Sequence, residues 1–361
     1  MSVVRVDLKE RSYDIHVGVK LESTGEALEQ QKFDKKIMVV SNPTVDSLYG
    51  EKVKGSLQKA GFSVFSAEVA EGEKYKTQEE ANRLYDECMK AKLERQSAIV
   101  ALGGGVIGDL TGFVAATFMR GVPFVQVPTT LLAQVDSSVG GKVAVNMPSG
   151  KNMVGVFYQP RLVYIDPSVL STLPMEEFSA GMAEVIKYGV ISDGKFFDFL
   201  EKNIDKILAL NAESLEKVIT TSCRAKADVV EQDEREKGLR AILNFGHTVA
   251  HALETLTEYK RYRHGEAVSI GMVCAARIAE LCGICDKSIA QRLQKLLSKA
   301  GLPVTIDSSL SHEGIIELLK HDKKVKDQKV RFVLPESMGK VVIRDDIDEK
   351  KVREALSLIT K

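Results

Sequence analysis

The sequence predicts an α/β fold followed by a mainly helical region, and two observations support this. Short apolar runs rich in β-branched residues alternate with amphipathic stretches up to about residue 165, which is typical of a parallel sheet covered by helices. From about residue 170 the apolar spacing is helical, and the change falls at Asp166-Pro167. We therefore expect an N-terminal Rossmann-like parallel-sheet domain over residues 1–168 and a mainly α-helical domain over residues 169–361.

The strands of the first half follow in order. Residues 3–17 alternate between apolar and polar side chains and predict a hairpin that turns near Lys9-Glu10. The other strand candidates are 37–40, 62–69, 98–102, 122–127, 143–146 and 161–165, and the amphipathic stretches between the earlier ones are 46–60 and 78–95. An apolar helix is expected after the glycines that follow residue 102.

The second half is predicted to be helical over a series of segments separated by Asn, Gly and Pro. These segments are 175–190, 214–231, 246–258, 264–281, 287–300 and 311–320. Residues 330–334 and 341–343 predict one small hairpin before a last helix at 348–359.

Charge and hydropathy exclude several classes of partner. Fifty basic and fifty acidic residues cancel, so no basic field points to nucleic acid or to an anionic membrane. The longest uncharged run, between Arg120 and Asp136, is shorter than the roughly 18 residues of a membrane-spanning helix. The N-terminus alternates charged and apolar residues, unlike a secretory signal. We expect a cytoplasmic protein.

The five cysteines are odd in number and scattered, which suits a reducing compartment. Cys282 and Cys285 have the spacing of half a zinc knuckle or of a redox pair. No second pair completes a knuckle, and the motif follows a helical pattern, so it favours a helix end with buried thiols.

A glycine turn follows the apolar run 98–102: Gly103-Gly104-Gly105-Val106-Ile107-Gly108-Asp109. Glycines let the backbone approach phosphate oxygens, and the N-terminus of the next helix offers free N–H groups and a favourable dipole. A tight strand-to-helix turn in any α/β protein explains the motif equally well, because it is not the G-x-G-x-x-G fingerprint. Two further loops, 71–76 and Pro128-Thr129-Thr130, follow other strands. Three such loops at strand carboxyl ends favour a dinucleotide.

Three of the six histidines lie within 18 positions, at His247, His251 and His264. His247 and His251 are four apart and would share one helical face, with Asn244 one turn earlier. Imidazole is the commonest side-chain ligand of zinc, and a catalytic zinc usually takes three protein ligands. The pair alone is equally consistent with a core helix.

A further ligand is expected from Glu184, which has Lys187 three positions later within an apolar stretch. A buried acid needs a partner, and a metal shared with His247 and His264 would supply one. An internal ion pair between Glu184 and Lys187 is the alternative.

Other polar residues suit an anionic substrate, since arginine binds carboxylates in bidentate fashion and lysine offers a point charge for phosphate. These are Asp136, Lys142, Lys151 and Asn152 around the glycine-rich segment 140–155, Lys226, Arg240 and Asn244 in the helical half, and the lysines of segment 321–326. The last segment is equally typical of a solvated loop.

Several of these motifs together resemble the 3-dehydroquinate synthase family. The resemblance covers roughly residues 35–330, in the family's order and spacing. It rests on the motifs Gly-Gly-Gly-Val-Ile-Gly-Asp, Phe-Met-Arg-Gly-Val, Pro-Thr-Thr-Leu-Leu-Ala-Gln-Val-Asp-Ser-Ser-Val-Gly-Gly-Lys, Ala-Glu-Val-Ile-Lys-Tyr-Gly and Leu-Asn-Phe-Gly-His-Thr.

The resemblance implies a homodimeric lyase of the shikimate pathway that uses NAD and one divalent metal, zinc or cobalt. It would convert 3-deoxy-D-arabino-heptulosonate 7-phosphate to 3-dehydroquinate and phosphate. The implied steps are transient oxidation by NAD, phosphate elimination, re-reduction, ring opening and intramolecular aldol closure.

By position, the resemblance implies that the metal ligands are Glu184, His247 and His264. It implies NAD contacts from Glu71, Gly72, Glu73, Lys74, Tyr75, Lys76, Gly105, Val106, Ile107, Gly108, Asp109, Thr129, Thr130, Lys142, Lys151, Val169, Leu170, Ser171 and Thr172. It implies substrate contacts from Asp136, Lys142, Asn152, Lys187, Lys226, Arg240, Asn244, His251 and either Lys323 or Lys324, with Arg120 reaching the partner subunit's site.

Three other functions are compatible with parts of the pattern. A related sugar phosphate cyclase, such as a 2-deoxy-scyllo-inosose or 2-epi-5-epi-valiolone synthase, would share cofactor and metal, but its substrate lacks the carboxylate that Arg240 and Asn244 suit. A metal-dependent polyol dehydrogenase of the glycerol dehydrogenase type would release NADH stoichiometrically. A non-catalytic nucleotide-binding module would not need Glu184, His247 and His264 together.

Overall fold

The computed structural model describes residues 1–321 and 330–361. The chain divides into two compact units: a sheet unit of Met1–Leu173 with Leu215–Glu231, and a helical unit of Pro174–Ser214 with Gln232–Lys361. The assignment of NAD binding to residues 1–168 and of metal and substrate binding to residues 169–361 stays a prediction.

The sheet unit is built on seven strands in the order β1-β2-β9-β6-β5-β3-β4. The strands are β1 (Ser2–Val6), β2 (Tyr13–Val17), β3 (Lys36–Ser41), β4 (Ser63–Glu68), β5 (Ala98–Gly103), β6 (Phe124–Pro128) and β9 (Leu162–Ile165). β1 and β2 form the predicted antiparallel hairpin, and every other pair is parallel. The predicted parallel-sheet fold is therefore confirmed.

Helices cover both faces of this sheet, as β3 illustrates. Ile37 and Val39 belong to one apolar cluster and Met38 and Val40 to another, because successive strand side chains point to opposite faces. Burial on both sides explains the unbroken apolar run. The helices of this unit are α1 (Thr24–Glu29), α2 (Pro43–Val45), α3 (Glu51–Lys59), α4 (Gln78–Lys90) and α5 (Gly105–Thr117). The predicted helix 46–60 begins with a π-helical turn, Asp46–Gly50.

A separate two-stranded ribbon of β7 (Lys142–Met147) and β8 (Gly150–Phe157) also belongs to the sheet unit. The strand predicted at 143–146 is confirmed, but its partner β8 was not predicted. Gly150 and Gly155 weaken the strand pattern, and six of the eight β8 residues are exposed, so the apolar-to-polar alternation of a half-buried strand is missing.

The helical unit contains α6 (Met175–Ile191), α7 (Gly194–Leu208), α9 (His247–Leu256), α10 (His264–Leu281), α11 (Lys287–Lys299), α12 (His312–His321) and α13 (Glu349–Leu358), with the hairpin β10 (Phe332–Ser337) and β11 (Lys340–Arg344). α8 (Ala212–Gln232) lies mostly in the sheet unit. All the helices predicted in this half, and the hairpin, are present.

Helix α7 was not predicted, although its sequence carries the signals. Asp193 accepts hydrogen bonds from the backbone N–H groups of Lys195 and Phe196 and so caps the helix. Its buried residues, which include Leu200 and Ile204, recur at helical spacing.

Among the described residues, none of the helices combines the length and the apolar character needed to cross a bilayer.

Candidate functional site

The three loops that were predicted to bind a dinucleotide lie at one edge of the sheet. Loop 71–76 follows β4, Gly104 follows β5, and Thr129 follows β6. These strands and β3 run parallel, so their carboxyl ends meet at the same edge. The chain order reverses at β3, which has β4 on one side and β5 on the other. Ligands of open α/β sheets bind in the crevice at such a reversal.

The glycine turn leaves the first turn of α5 open. The helix begins at Gly105, and its N-cap residue Gly104 offers no side-chain cap, so the first N–H groups remain available to an anion. A Cβ atom at Gly108 would lie 2.7 Å from Gln126 Oε1, so glycine lets α5 pack close to β6. Thr129 is 5 % exposed and its Oγ1 has no hydrogen-bond partner. These observations fit a bound pyrophosphate.

Charged side chains near the glycine turn form an ion pair. Lys76 is 4 % exposed; its ammonium forms an ion pair with Asp109 and donates to Asn152 Oδ1 at 2.6 Å. Burial raises the pKa of Asp109 above its ordinary value, and the positive charge of Lys76 opposes that rise. Loop 71–76 and Asp109, predicted independently as nucleotide contacts, are therefore linked directly.

The predicted contacts Val169, Leu170, Ser171 and Thr172 form a short 3-10 segment, Pro167–Thr172. Tyr49 holds it: its hydroxyl donates to the Val169 carbonyl at 3.0 Å and lies 2.6 Å from Thr172 Oγ1. Tyr49 was not predicted, and no local motif marks it.

The candidate residues of the sheet unit are an ion pair, two lysines of the β7–β8 ribbon and Arg120. Lys226 Nζ lies 2.8 Å from Asp136 Oδ1 and donates to the Asp136 carbonyl at 2.7 Å, so these two residues, 90 positions apart, are brought together. Lys142 begins β7 and is exposed, and Lys151 lies on β8, half-buried. Arg120 is exposed and ends a tight segment in which its own φ is +69°.

In the helical unit, Glu184 on α6, His247 on α9 and His264 on α10 converge. One ligand atom of each lies within 4.8 Å of the others. His247 Nε2 is 3.7 Å and His264 Nε2 is 3.9 Å from Glu184 Oε1, and the two imidazole rings are 5.3 Å apart. One carboxylate and two imidazoles form a donor set suited to zinc or another divalent metal.

Close helix packing brings these three side chains together. Within the helical unit, α10 packs against α6 and α9. A Cβ atom at Gly265 would overlap the carbonyl oxygen of Ala180 on α6, and one at Gly271 would overlap the carbonyl oxygen of Gly246, which precedes α9. Glycine at these two positions therefore sets the distance between the helices that carry the three side chains.

The contacts around the cluster also fit a metal. His264 Nδ1 lies 3.1 Å from Glu254 Oε1, and His247 Nδ1 lies 3.2 Å from the Phe245 carbonyl. Both imidazoles are thus held through Nδ1 with Nε2 directed at Glu184, the arrangement usual for metal-bound histidine. Glu254, only 7 % exposed, was not predicted to have a role, and no local motif marks it.

The electrostatics of Glu184 are unusual. It is 1 % exposed, and neither carboxylate oxygen has a hydrogen-bond partner of good geometry. It is in ionic contact with Lys187, which is also buried. An ion pair alone leaves this carboxylate short of hydrogen bonds, which is costly for a buried acid, so a cation beside both histidines fits better.

The pKa of His264 is raised above its ordinary value. Burial by itself would lower this pKa, but the hydrogen bond and charge of Glu254, together with the charge of Glu184, outweigh the effect of burial.

Three further predicted residues lie in the same unit. His251 stands 5.7 Å from His247, ring to ring, but is outside the group of converging ligand atoms. Arg240 is buried and donates to the Glu234 carbonyl, and Asn244 donates to Glu236 at 3.0 Å. Asn244 was expected on the same helix as His247, which is wrong: it ends a 3-10 segment, and Gly246 with φ +82° separates it from α9. Lys323 and Lys324 lie outside the described residues.

A parallel sheet with an open glycine turn, together with a helical unit bearing a Glu-His-His cluster, defines the class of metal- and dinucleotide-dependent enzymes. Family models described as 3-dehydroquinate synthase N-terminal and C-terminal match residues 66–180 and 181–325. The chain belongs to the 3-dehydroquinate synthase family.

Similar proteins agree over the full length. 3-Dehydroquinate synthase of Crocosphaera subtropica is 52 % identical over 361 residues, 99 % of each chain. That of Desulforamulus reducens is 53 % identical over 358 residues, 99 % of this chain and 100 % of its own.

Solved structures of sugar phosphate cyclases share the architecture. A 2-epi-5-epi-valiolone synthase from Streptomyces hygroscopicus subsp. jinggangensis, with NAD⁺ and Zn²⁺ bound, superposes with a TM-score of 0.90 at 26 % identity, covering 98 % of both chains. A 2-deoxy-scyllo-inosose synthase complexed with carbaglucose-6-phosphate, NAD⁺ and Co²⁺ gives 0.88 at 29 % identity, covering 98 % of this chain and 99 % of its own. Glycerol dehydrogenase of Schizosaccharomyces pombe, at 17 % identity and 0.68, shares the fold alone.

Proposed function

We propose that this protein is an NAD- and metal-dependent carbon-oxygen lyase that converts 3-deoxy-D-arabino-heptulosonate 7-phosphate to 3-dehydroquinate with release of phosphate. The observation that carries the proposal is the convergence of Glu184, His247 and His264 in a chain that is 52 % identical to a 3-dehydroquinate synthase over its full length. Cyclases with other substrates are less similar, at 26–29 % identity.

We assign NAD to the carboxyl edge of the sheet. The open first turn of α5 would hold the pyrophosphate, and Thr129 Oγ1 would gain a partner for its buried hydroxyl. Glu73 and Lys76 of loop 71–76 are held by hydrogen bonds to β7 and β8, so this loop is ordered where a ribose or nicotinamide would lie.

We assign zinc or cobalt to Glu184, His247 and His264. NAD would take up and return a hydride of the substrate, while the metal would stabilise oxyanions formed from its hydroxyl groups. The chain's own residues orient the ligands: Glu254 and the Phe245 carbonyl fix the two imidazoles, and the buried face of α6 keeps water from Glu184.

Three nearly buried cations suit the charges of a phosphorylated sugar acid. Lys187, Lys226 and Arg240 are 2 %, 6 % and 1 % exposed. Buried cations bind carboxylate and phosphate strongly because little water competes. We propose that Arg240 and Asn244 recognise the carboxylate and that Lys187 and Lys226 serve the phosphate and ring hydroxyls. Asp136, Lys142, Asn152 and His251 are also proposed as substrate contacts, because their positions in the sequence match the family's substrate-binding positions.

A homodimer is proposed from the surface of the sheet unit. On β8 the side chains of Met153, Val154, Val156 and Phe157 are 36–48 % exposed, and Met119, beside Arg120, is 43 % exposed. The end of β8 meets this segment, because the Tyr158 hydroxyl donates to the Val122 carbonyl at 2.8 Å. Contiguous exposed apolar side chains are typical of an interface. We propose that a second copy covers them and receives Arg120 into its site.

The activity is tested with metal-loaded protein, catalytic NAD and 3-deoxy-D-arabino-heptulosonate 7-phosphate, following inorganic phosphate and reduced-cofactor absorbance together. Phosphate many times the NAD added, without net NADH, is expected. Stoichiometric NADH from a polyol and no phosphate would identify a dehydrogenase, and turnover of a sugar phosphate lacking a carboxylate would identify another cyclase. His264→Ala should lose metal and activity with an unchanged circular-dichroism spectrum, because only a ligand is removed.

The role of Arg120 is tested by mixing two inactive variants, Arg120→Ala and His264→Ala. If Arg120 acts across the interface, each mixed dimer contains one intact site, so about a quarter of wild-type activity should return after subunit exchange. No recovery, with sedimentation showing mixed dimers, would place Arg120 in its own subunit's site.

Five cysteines without disulfides are in keeping with a proposed cytoplasmic location.

A further inference from the structure

We propose that Asn146 is a positioning residue that ties the nucleotide loop 71–76 to Asn152, so that cofactor and substrate contacts are held by one side chain. The inference rests on the proposed function, since it concerns the same site. Asn146 lies on β7, and neither its position nor its residue type marked it in the sequence.

The contacts of Asn146 reach both partners. Its Nδ2 donates to Glu73 Oε1 at 2.8 Å, and its backbone N–H donates to the Lys76 carbonyl at 2.7 Å. Its Oδ1 accepts the backbone N–H of Asn152 at 2.9 Å. The amide therefore connects the loop that follows β4 with the strand β8, using its donor on one side and its acceptor on the other.

Asn152 is held in a defined backbone conformation. Its φ is +55°, a left-handed conformation that is uncommon outside glycine, although asparagine adopts it more readily than most residues. Its backbone N–H is held by Asn146, and its Oδ1 accepts from Lys76 Nζ at 2.6 Å. In the described part of the chain no group accepts a hydrogen bond from Asn152 Nδ2, so this donor stays available for a substrate oxygen.

Folding of the ribbon does not call for asparagine at this position. On β7 the buried residues are Val143 and Val145, while Asn146 is half-buried on the opposite face. Asparagine is disfavoured in strands, where a β-branched residue would be the usual choice. The loop and ribbon contacts explain its presence.

Two substitutions separate the two contacts. Asn146→Asp keeps the shape and the acceptor for Asn152 but replaces the donor to Glu73 by an oxygen facing a carboxylate. Asn146→Ala removes both contacts. The matched controls are Asn82→Asp and Asn82→Ala, since Asn82 accepts an amide hydrogen bond of 3.0 Å from Gln78 on the exposed surface of α4.

NAD affinity is measured by calorimetry on the metal-loaded protein, and KM and kcat by phosphate release at saturating NAD. Asn146→Asp should weaken NAD binding by about tenfold, the effect of losing one hydrogen bond and placing two acceptors together, with the substrate KM changed by less than about twofold. Asn146→Ala should weaken NAD binding and also lower kcat/KM for the substrate by about tenfold.

Wild-type NAD affinity in Asn146→Asp, or variants at positions 146 and 82 that behave alike, would overturn the inference. A general loss of structure is distinguished by thermal unfolding, since it would lower the melting temperature and shift both readouts equally in both Asn146 variants. If wild-type protein binds NAD but releases no phosphate, the proposed function fails, while the calorimetric comparison still decides the link between Asn146 and the nucleotide loop.

Discussion

Gly265→Ala tests whether helix packing sets the metal-site geometry. Gly265 follows His264 at the start of α10, where a Cβ atom would overlap the carbonyl oxygen of Ala180 and lie 2.6 Å from its Cα. Ordinary contacts of this kind begin at 3.4 Å. The helices must therefore separate by at least about 0.8 Å, the shortfall at the Ala180 Cα, because the carbonyl oxygen is closer still and both colliding groups are backbone and cannot rotate away.

The Gly265→Ala substitution should lower both the stability of the fold and the affinity for zinc. Overpacking of this kind costs about 1–3 kcal/mol of unfolding free energy. His264 is the neighbouring residue, so its Nε2, now 3.9 Å from Glu184 Oε1, should move by a similar distance. Metal-ligand distances tolerate changes of only about 0.2 Å, so zinc affinity should fall by at least about tenfold, as it does when groups that orient metal ligands are lost.

The assay is a zinc titration against a competing chelator, with urea unfolding of the metal-free protein measured separately. Gly55→Ala on α3 is the matched control, since its Cβ would meet nothing nearer than 3.9 Å and should gain up to about 1 kcal/mol from helix propensity. Wild-type zinc affinity in Gly265→Ala would refute the reasoning, whatever the change in stability.

Three other properties follow from the structure. Glu254→Gln should weaken zinc binding by about 10–100-fold, because it loses the charged partner of His264 Nδ1; chelator competition that gives equal affinities would remove Glu254 from this role. Burial raises the pKa of Asp109 above its ordinary 3.8, so the folded protein binds more protons than the unfolded chain just above that pH, and Asp109 should lower the free energy of unfolding as pH rises through this window. Urea unfolding from pH 4 upward checks this, since Asp109→Asn should lack that part of the slope, and parallel curves would contradict it. Burial raises the pKa of Cys88, Cys223 and Cys274 to about 12, so these thiols should resist a disulfide reagent at pH 8 and react only after denaturation; fast reaction of all five native thiols would show that they are accessible.

Local sequence features were sufficient for much of this molecule. The strands of the parallel sheet were predicted because each is an apolar run, and α5 because glycines precede an apolar stretch. Glu184 was named as a companion of His247 from its residue type and apolar surroundings, and His264 from the clustering of three histidines within 18 positions. Helix α7 could have been found from its Asp193 cap and helical spacing, whereas β8 could not, because an exposed strand has no alternation of burial.

What the sequence by itself determined is the set of secondary-structure elements and the chemical types gathered at the site, since both depend on periodicity and on side-chain chemistry within short windows. The tertiary structure alone decided which side chains support them. Glu254 faces His264, Asn146 reaches Glu73, and Gly265 meets Ala180. Helix packing and strand pairing make these contacts between residues 10 to 85 positions apart. No local pattern encodes such contacts, because close packing depends on the shapes of both partners.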